Sequence, residues 1–247
     1  MRFRHHSAVF AMGIYTYGSG IFVYESIFYG CKRTVATRGN EKVTPPFYWY
    51  DECMSFFTGK GDGGTTKLFD SPQGVRVTKS SPIFECLGQL DELNTIVGWC
   101  KVGCPEDFVV DEVRGAQILS GVQDHLFTIQ AEVAGAPKSV PQERVEVLSA
   151  LITSIESQLP EVKSFLVPGG TELSARLDIA RAVSRRVERR LVTVHESGDP
   201  SNPSGQGRII SEGSRAYANR LSSLFYALTR FANHRAGVVE RPPEYLT

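Results

Sequence analysis

The sequence lacks an excess of charge of either sign. Lys+Arg and Asp+Glu are equal at 27 each in 247 residues, so bulk attraction to nucleic acid or to an anionic membrane is not indicated and any anion site must be local. Long apolar runs are lacking too. The uncharged stretch Ala8 to Tyr24 is broken by glycines and tyrosines and falls short of the ~20 mostly apolar residues of a spanning helix. The five cysteines (Cys31, Cys53, Cys86, Cys100 and Cys104) include no CxxC pair and no zinc-type spacing, which suits a reducing compartment such as the cytoplasm. Cys100 and Cys104 fall one helical turn apart; two small apolar core residues are the favoured reading over a redox or metal pair. Nor is there a GxSxG, an HExxH, a Cys/His dyad with supporting spacing, or the Glu-x-x-His pairs of a di-iron bundle.

Hydrophobic residues make up 41% and charged residues 22%, the ordinary balance of a globular domain. Residues 1–53 are poorly patterned. Arg2, Arg4, His5 and His6 followed by the uncharged stretch loosely imitate a targeting peptide, and Met54 precedes the first strong motif. The expectation is a disordered or non-native extension over 1–53 and one domain over 54–247. Residues 55–82 read as an extended Gly/Thr/Ser-rich segment. Helical periodicity then predicts helices over about 83–103, 107–134, 142–159, 171–196 and 209–236. Strand patterns and internal repeats are absent. The fold class is all-α, a five-helix up-and-down bundle.

Four motifs carry chemistry. The segment Thr58-Gly59-Lys60-Gly61-Asp62-Gly63-Gly64-Thr65-Thr66-Lys67 combines glycines, which let backbone N–H groups approach a ligand, with hydroxyl and ammonium donors. It is not a Walker A loop, and a flexible Gly-rich loop is the plain alternative; Lys79 is a further candidate donor. In the second, Asp91 follows Leu90 in an apolar helix. A buried carboxylate there needs a partner arginine, whereas a surface position needs none. The third is the helix carrying Arg176, Arg181, Arg185, Arg186, Arg189 and Arg190. Arg181, Arg185 and Glu188 share a face that Arg189 extends, and arginine forks suit phosphate oxygens; a solvated, salt-bridged face is the alternative. The fourth is Asn219-Arg220 inside the last helix, either an inter-helix contact or a nucleotide contact.

In order and spacing, TGKGDGGTTKL, ECLGQLDELN, FLVPGGTELSARLDIARAVSRRVERR and NRLSSLFYALTRFANHRAG resemble the PduO-type ATP:cob(I)alamin adenosyltransferases, over residues 56 to about 238. The resemblance implies a five-helix bundle that assembles as a homotrimer, with ATP and the corrinoid (cobalamin) bound where subunits meet, and magnesium bridging phosphate oxygens. It implies transfer of the 5′-deoxyadenosyl group to cobalt, with triphosphate released. Carried over motif by motif, Thr58, Gly59, Lys60, Gly61, Thr66, Lys67 and Lys79 contact ATP from the N-terminal segment, and Arg185, Arg186, Glu188, Arg189 and Asn219 contact it from the helices. Asp91 pairs with Arg181 at the subunit interface, and Phe165 presses on the lower corrin face. Arg176 and Arg190 have no assigned partner and are left to solvent. A reductase supplying Co(I) and an adenosylcobalamin-dependent enzyme are the implied partners; nucleic acid and membrane are not.

The chain departs from the family pattern in several places, the slightly long segment between Phe69 and Lys79 among them. Gly59 and Lys60 stand where a basic residue and a threonine are usual, Asp178 where a histidine is frequent, and Ser223 where an aspartate is. Ser223 and the altered Thr58–Lys60 region motivate a second reading, a corrinoid- or ATP-binding delivery chaperone with weak or no turnover.

Overall fold

A computed structural model describes residues 11–17, 20–26, 37–38, 41–42, 58–197 and 207–245. It divides into two units, Met1–Gly59 and Lys60–Thr247. In the first unit the backbone forms two antiparallel pairs: β1 (Ala11–Tyr17) with β2 (Gly20–Ser26), and β3 (Thr37–Arg38) with β4 (Glu41–Lys42). The sequence pattern assigns no strands here. The expected start at Met54 lies outside the described residues.

The second unit is the helical body. Its helices are α1 (Pro82–Val102), α2 (Gly115–Val133), α3 (Gln142–Ser157), α4 (Glu172–Glu196) and α5 (Glu212–Arg235). Contacts run α2 to α1, α1 to α4, α4 to α5 and α5 to α3, so the order across the bundle is not the order along the chain. The third and fourth helices are therefore not neighbours in the bundle. α4 lies between α1 and α5. Its inner stripe is Leu173, Leu177, Ala180, Ser184, Val187 and Leu191, all buried, at the three- and four-residue steps that keep side chains on one face. The small Ala180 and Ser184 let its neighbours come close, and Leu90, Leu93, Leu126, Leu221 and Phe225 fill the remaining core with no exposed surface.

Two short hairpins correct the sequence-based expectation. β5 (Thr65–Thr66) pairs with β6 (Val77–Thr78) inside the segment that reads as extended loop. β7 (Val109–Val110) pairs with β8 (Val113–Arg114) where periodicity predicts a helix from residue 107, so α2 begins eight residues later. Val110 and Val113 are three apart, which mimics helical spacing, but they face each other across a two-residue turn. Asp111 and Glu112 turn the chain at φ of 46° and 66°, the signs that a tight hairpin turn requires and that favour glycine. A left-handed conformation costs an L-residue about 1–2 kcal/mol, of which glycine's extra unfolded-state entropy cancels part. Glu112→Gly is therefore expected to stabilise the protein by roughly 0.5–1 kcal/mol and raise Tm by about 1–4 °C; a lower Tm in a thermal melt would contradict this.

Between α2 and α5, His125 Nδ1 lies 2.9 Å from the Tyr217 hydroxyl. Burial, aided by the Arg144 guanidinium, holds the His125 imidazole below its usual 6.5. The unfolded chain then takes up this proton more readily than the native one, so this contribution is intact above pH 6.5 and is lost as pH falls below it. Tm measured from pH 7.5 to 5.5 should decline below pH 6.5, and His125→Gln should flatten that part of the profile.

Cys86 and Cys100 have no exposed surface, and Cys104 packs at the core's edge. Burial pushes their thiols up to about 12, 12 and 11 respectively, so they behave as small apolar core residues, as the spacing of Cys100 and Cys104 suggests for those two. Among the described residues no helix is long and apolar enough to cross a membrane.

Candidate nucleotide and corrinoid site

The arginine helix begins at a structured turn. Thr171 caps it, its hydroxyl accepting from Ser174 N at 3.0 Å while the Ser174 hydroxyl accepts from Thr171 N at 2.8 Å. This reciprocal pair satisfies two donors at the helix start. Gly170 just before it cannot carry a side chain: a β-carbon there would come within 2.4 Å of Asn233 Oδ1. The Pro-Gly-Gly break is thus set by close approach of α5.

Along α4 the six arginines sort by partner. Arg176 pairs with Glu172 and lies 4.7 Å over the Trp99 ring. Arg190 reaches Glu85 at 3.4 Å. The expectation that these two face solvent is corrected for Arg176, which antiparallel α1 covers with Trp99, whereas Arg190 stays exposed and gains only the surface carboxylate of Glu85. Arg186 donates to Gln89 and, at 2.6 Å, to Glu92 on α1, so within one chain it faces a neighbouring helix. Arg181 donates from Nε to Asp178 at 3.1 Å. Asp91 is exposed on α1, and in the single chain the carboxylate beside Arg181 is Asp178, not Asp91. Arg185 and Arg189 are exposed, and their guanidinium groups have no polar partner among the described residues. Arginines spaced at i and i+4 repel by a few tenths of a kcal/mol, and these two have no carboxylate partner to offset it.

Arg185 and Arg189 line a cavity of about 280 Å³ with Glu188 and Val192. Glu188 accepts from Asn219 Nδ2 on α5, and Asn219 Oδ1 in turn accepts from Arg220 at 3.1 Å. Four of the residues singled out on α4 and α5 (Arg185, Glu188, Arg189 and Asn219) are thereby brought together. A second cavity, of about 650 Å³, adjoins it, with Arg185 in the walls of both. Its walls include Asp178, Arg181, Ser223 and Tyr226, and Phe165 stands on its loop 81% exposed. Burial raises the Tyr226 phenol above its usual value, so it stays protonated.

The Gly-rich segment forms a turn held by its own hairpin. Gly64 N donates to Gly61 O at 3.1 Å, and Lys79 N donates to Gly64 O at 2.9 Å. The Lys79 ammonium lies over Gly61, where a β-carbon would meet Nζ at 3.1 Å. Thr66 pairs with Val77, and Lys60, Lys67 and Lys79 are exposed. Thr58 and Gly59, also exposed, belong to the preceding unit. Sequence reasoning misses Arg76, which staples this turn by donating to Thr65 Oγ1 at 2.9 Å, Thr65 O at 2.6 Å and Lys60 O at 2.7 Å. A lone arginine in a loop gives no signal of that role. The exit from the hairpin is anchored to the bundle. Phe69 N donates to Ala134 O at 2.8 Å, and Asp70 accepts a fork from Arg208 at 3.0 and 3.2 Å.

The cobalamin adenosyltransferase family profile matches residues 56–232, which span both the hairpin and the arginine helix. The chain belongs to the cobalamin adenosyltransferase family. The corrinoid adenosyltransferase PduO of Citrobacter freundii is 34% identical over 190 residues, 74% of this chain and 51% of that protein. The corrinoid adenosyltransferase of Bacillus subtilis (strain 168) is 32% identical over 196 residues, 75% of this chain and 90% of that one. The chain thus spans about half the length of the PduO relative and most of the Bacillus one. Among solved structures, a phenylalanine-to-histidine variant of a PduO-type ATP:corrinoid adenosyltransferase from Lactobacillus reuteri, complexed with cobalamin and ATP, superposes with a TM-score of 0.64 at 25% identity. That match covers 76% of this chain and 96% of the other.

Proposed function

We propose that this adenosyltransferase-family chain moves the 5′-deoxyadenosyl group of ATP to the cobalt of a reduced corrinoid such as cobalamin, giving adenosylcobalamin and triphosphate. The observation that carries this reading is Arg185: exposed, without a polar partner among the described residues, and shared by the arginine cavity and the cavity beside Phe165. The cobalt lone pair forms the bond to C5′. The C5′–O bond breaks, and its electron pair leaves with the triphosphate. The protein must therefore align C5′ with cobalt and stabilise charge on the leaving oxygens. Arg185 and Arg189 supply two guanidinium forks for that charge. Glu188, held by Asn219, orients them or a ribose hydroxyl.

In this reading the protein works as a homotrimer, and the hairpin segment of a neighbouring subunit brings Lys60, Gly61, Thr66, Lys67 and Lys79 to the phosphates. Arg181 supports this arrangement: only its Nε is engaged by Asp178, leaving its Nη atoms for an exposed Asp91 across a subunit boundary. Arg186 reaches phosphate only by leaving Glu92, so its contribution is the smaller one. Magnesium fits as an ion carried by the triphosphate. Among the described residues no group of three His, Cys, Asp or Glu is placed to hold a metal, and Glu188 is the carboxylate lining the arginine cavity. Buried free thiols suit a reducing location, the cytoplasm. A reductase and an adenosylcobalamin-dependent enzyme complete the chemistry.

The deciding assay combines purified protein, ATP, magnesium and chemically reduced cobalamin, and follows the absorbance change on Co–C bond formation. Adenosylcobalamin should appear with one triphosphate per turnover; its absence under strongly reducing conditions refutes the enzyme reading.

A further inference from the structure

After α5 the chain does not leave the bundle. It turns at Gly237 and runs back along the loop that carries Phe165. Val167 N donates to Arg241 O at 3.0 Å, joining loop and tail by a backbone bond. Beside it, the Glu240 carboxylate accepts from Arg230 Nε at 3.0 Å through Oε2 and from Asn233 Nδ2 at 3.1 Å through Oε1. Both donors also hold the loop. Arg230 Nη2 donates to Pro160 O at 3.0 Å, where the loop begins. Asn233 donates to Gly169 O at 3.1 Å and accepts from Thr171 N at 3.3 Å, where it ends.

All three side chains are withdrawn from solvent. Asn233 is 1% exposed, and the Arg230 and Glu240 side chains 9% and 16%. A guanidinium that deeply placed needs its carboxylate, and a charge-assisted pair with further hydrogen bonds is directional. The loop between Pro160 and Thr171 is thus pinned at its start, at Val167 and at its end, while Phe165 projects freely between the pins. Glu240 itself lines the same 650 Å³ cavity. The family profile stops at residue 232, before Asn233 and the tail.

We propose that Glu240, acting through Arg230 and Asn233, is a positioning residue that sets the height of Phe165 in the corrinoid cavity. This deepens the adenosyltransferase reading and rests on it. In that reading Phe165, which presses on the lower corrin face, should matter most when cobalt enters as Co(II) with a lower ligand to displace, and least when the corrinoid is already reduced to Co(I). A residue that acts through Phe165 inherits that asymmetry; one that only holds the fold together does not.

The experiment compares wild type, Glu240→Gln, Phe165→Ala and the double variant in two assays with full-length protein: cob(II)alamin plus reductant, and chemically reduced cob(I)alamin. Gln keeps the size and leaves one acceptor for Arg230, where Glu240→Ala removes both, and a thermal melt checks that the variant stays folded. Glu240→Gln should lower kcat with Co(II) about tenfold, change the Co(I) assay and the KM for ATP less than about twofold, and add nothing in the Phe165→Ala background. Equal losses in both assays, or additive losses in the double variant, overturn the positioning role. A wild type inactive in both assays overturns the adenosyltransferase reading itself, and the inference with it.

Discussion

Arg185→Ala is expected to lower kcat/KM for ATP by about 10²–10³-fold, the loss seen when one preorganised donor to a developing oxyanion is removed. The charge in this reaction appears on the triphosphate as the C5′–O bond breaks. A side chain that already carries a neutralising partner gains little by turning toward it. Four of the six arginines on α4 have carboxylates within the chain: Arg176 with Glu172, Arg181 with Asp178, Arg186 with Glu92 and Arg190 with Glu85. Arg185 has none among the described residues and lines both cavities. Arg185→Lys, which keeps the charge and loses the fork, should recover part of the activity. Arg190→Ala is the control on the same helix. Its pair with Glu85 is surface-exposed, at 45% and 49%, and worth at most about 1 kcal/mol of stability, so ATP use should stay within about twofold. If Arg185→Ala and Arg190→Ala lose activity equally, the assignment of Arg185 to the triphosphate fails.

Phe165→Ala is expected to separate the two halves of the reaction. With cob(II)alamin and a reductant, turnover should fall about tenfold or more; with pre-reduced cob(I)alamin it should fall less than about threefold. An aromatic of this size normally buries its face, yet Phe165 is 81% exposed at the rim of a cavity. It has no packing role to lose, so the Tm of Phe165→Ala should stay close to wild type. In the proposed reading, replacement of the ring removes the apolar body that would displace a lower ligand from cobalt. Equal effects in the two assays would assign Phe165 to general corrinoid affinity instead. A fall in Tm of several degrees would assign it to the core.

Much of the fold is legible because long amphipathic helices announce themselves. The stripe Leu173, Leu177, Ala180, Ser184, Val187, Leu191 is readable on α4 from spacing alone, and four of the five helices lie within three residues of their expected ends. The exception, α2, shows the limit. Val110 and Val113 have spacing that helix and hairpin share, and only the positive φ at Asp111 and Glu112 separates them. The Gly/Thr/Lys segment, the arginine face and Phe165 are likewise visible as residue types with a chemical use. The residues that hold them in place are not. Arg76, Asn233 and Glu240 act through contacts across 7 to 64 positions of sequence, and a lone polar residue in a loop or tail looks the same with or without such a contact.

Periodicity and ordered motifs are properties of a linear run of residues, so the helical body, the family and the presence of a cationic face follow from residue order alone. Which arginines on that face stay available for an anion depends instead on packing. Residues three and four apart on α4 look equivalent along the chain, but α1 packs against one edge and supplies Glu85 and Glu92 to Arg190 and Arg186. The other edge, beside α5, keeps Arg185 and Arg189 without a carboxylate partner among the described residues. Electrostatic pairing acts over a few ångströms of space, so only the packing of helices distant in sequence could divide six similar side chains into those with a carboxylate partner and those without one among the described residues.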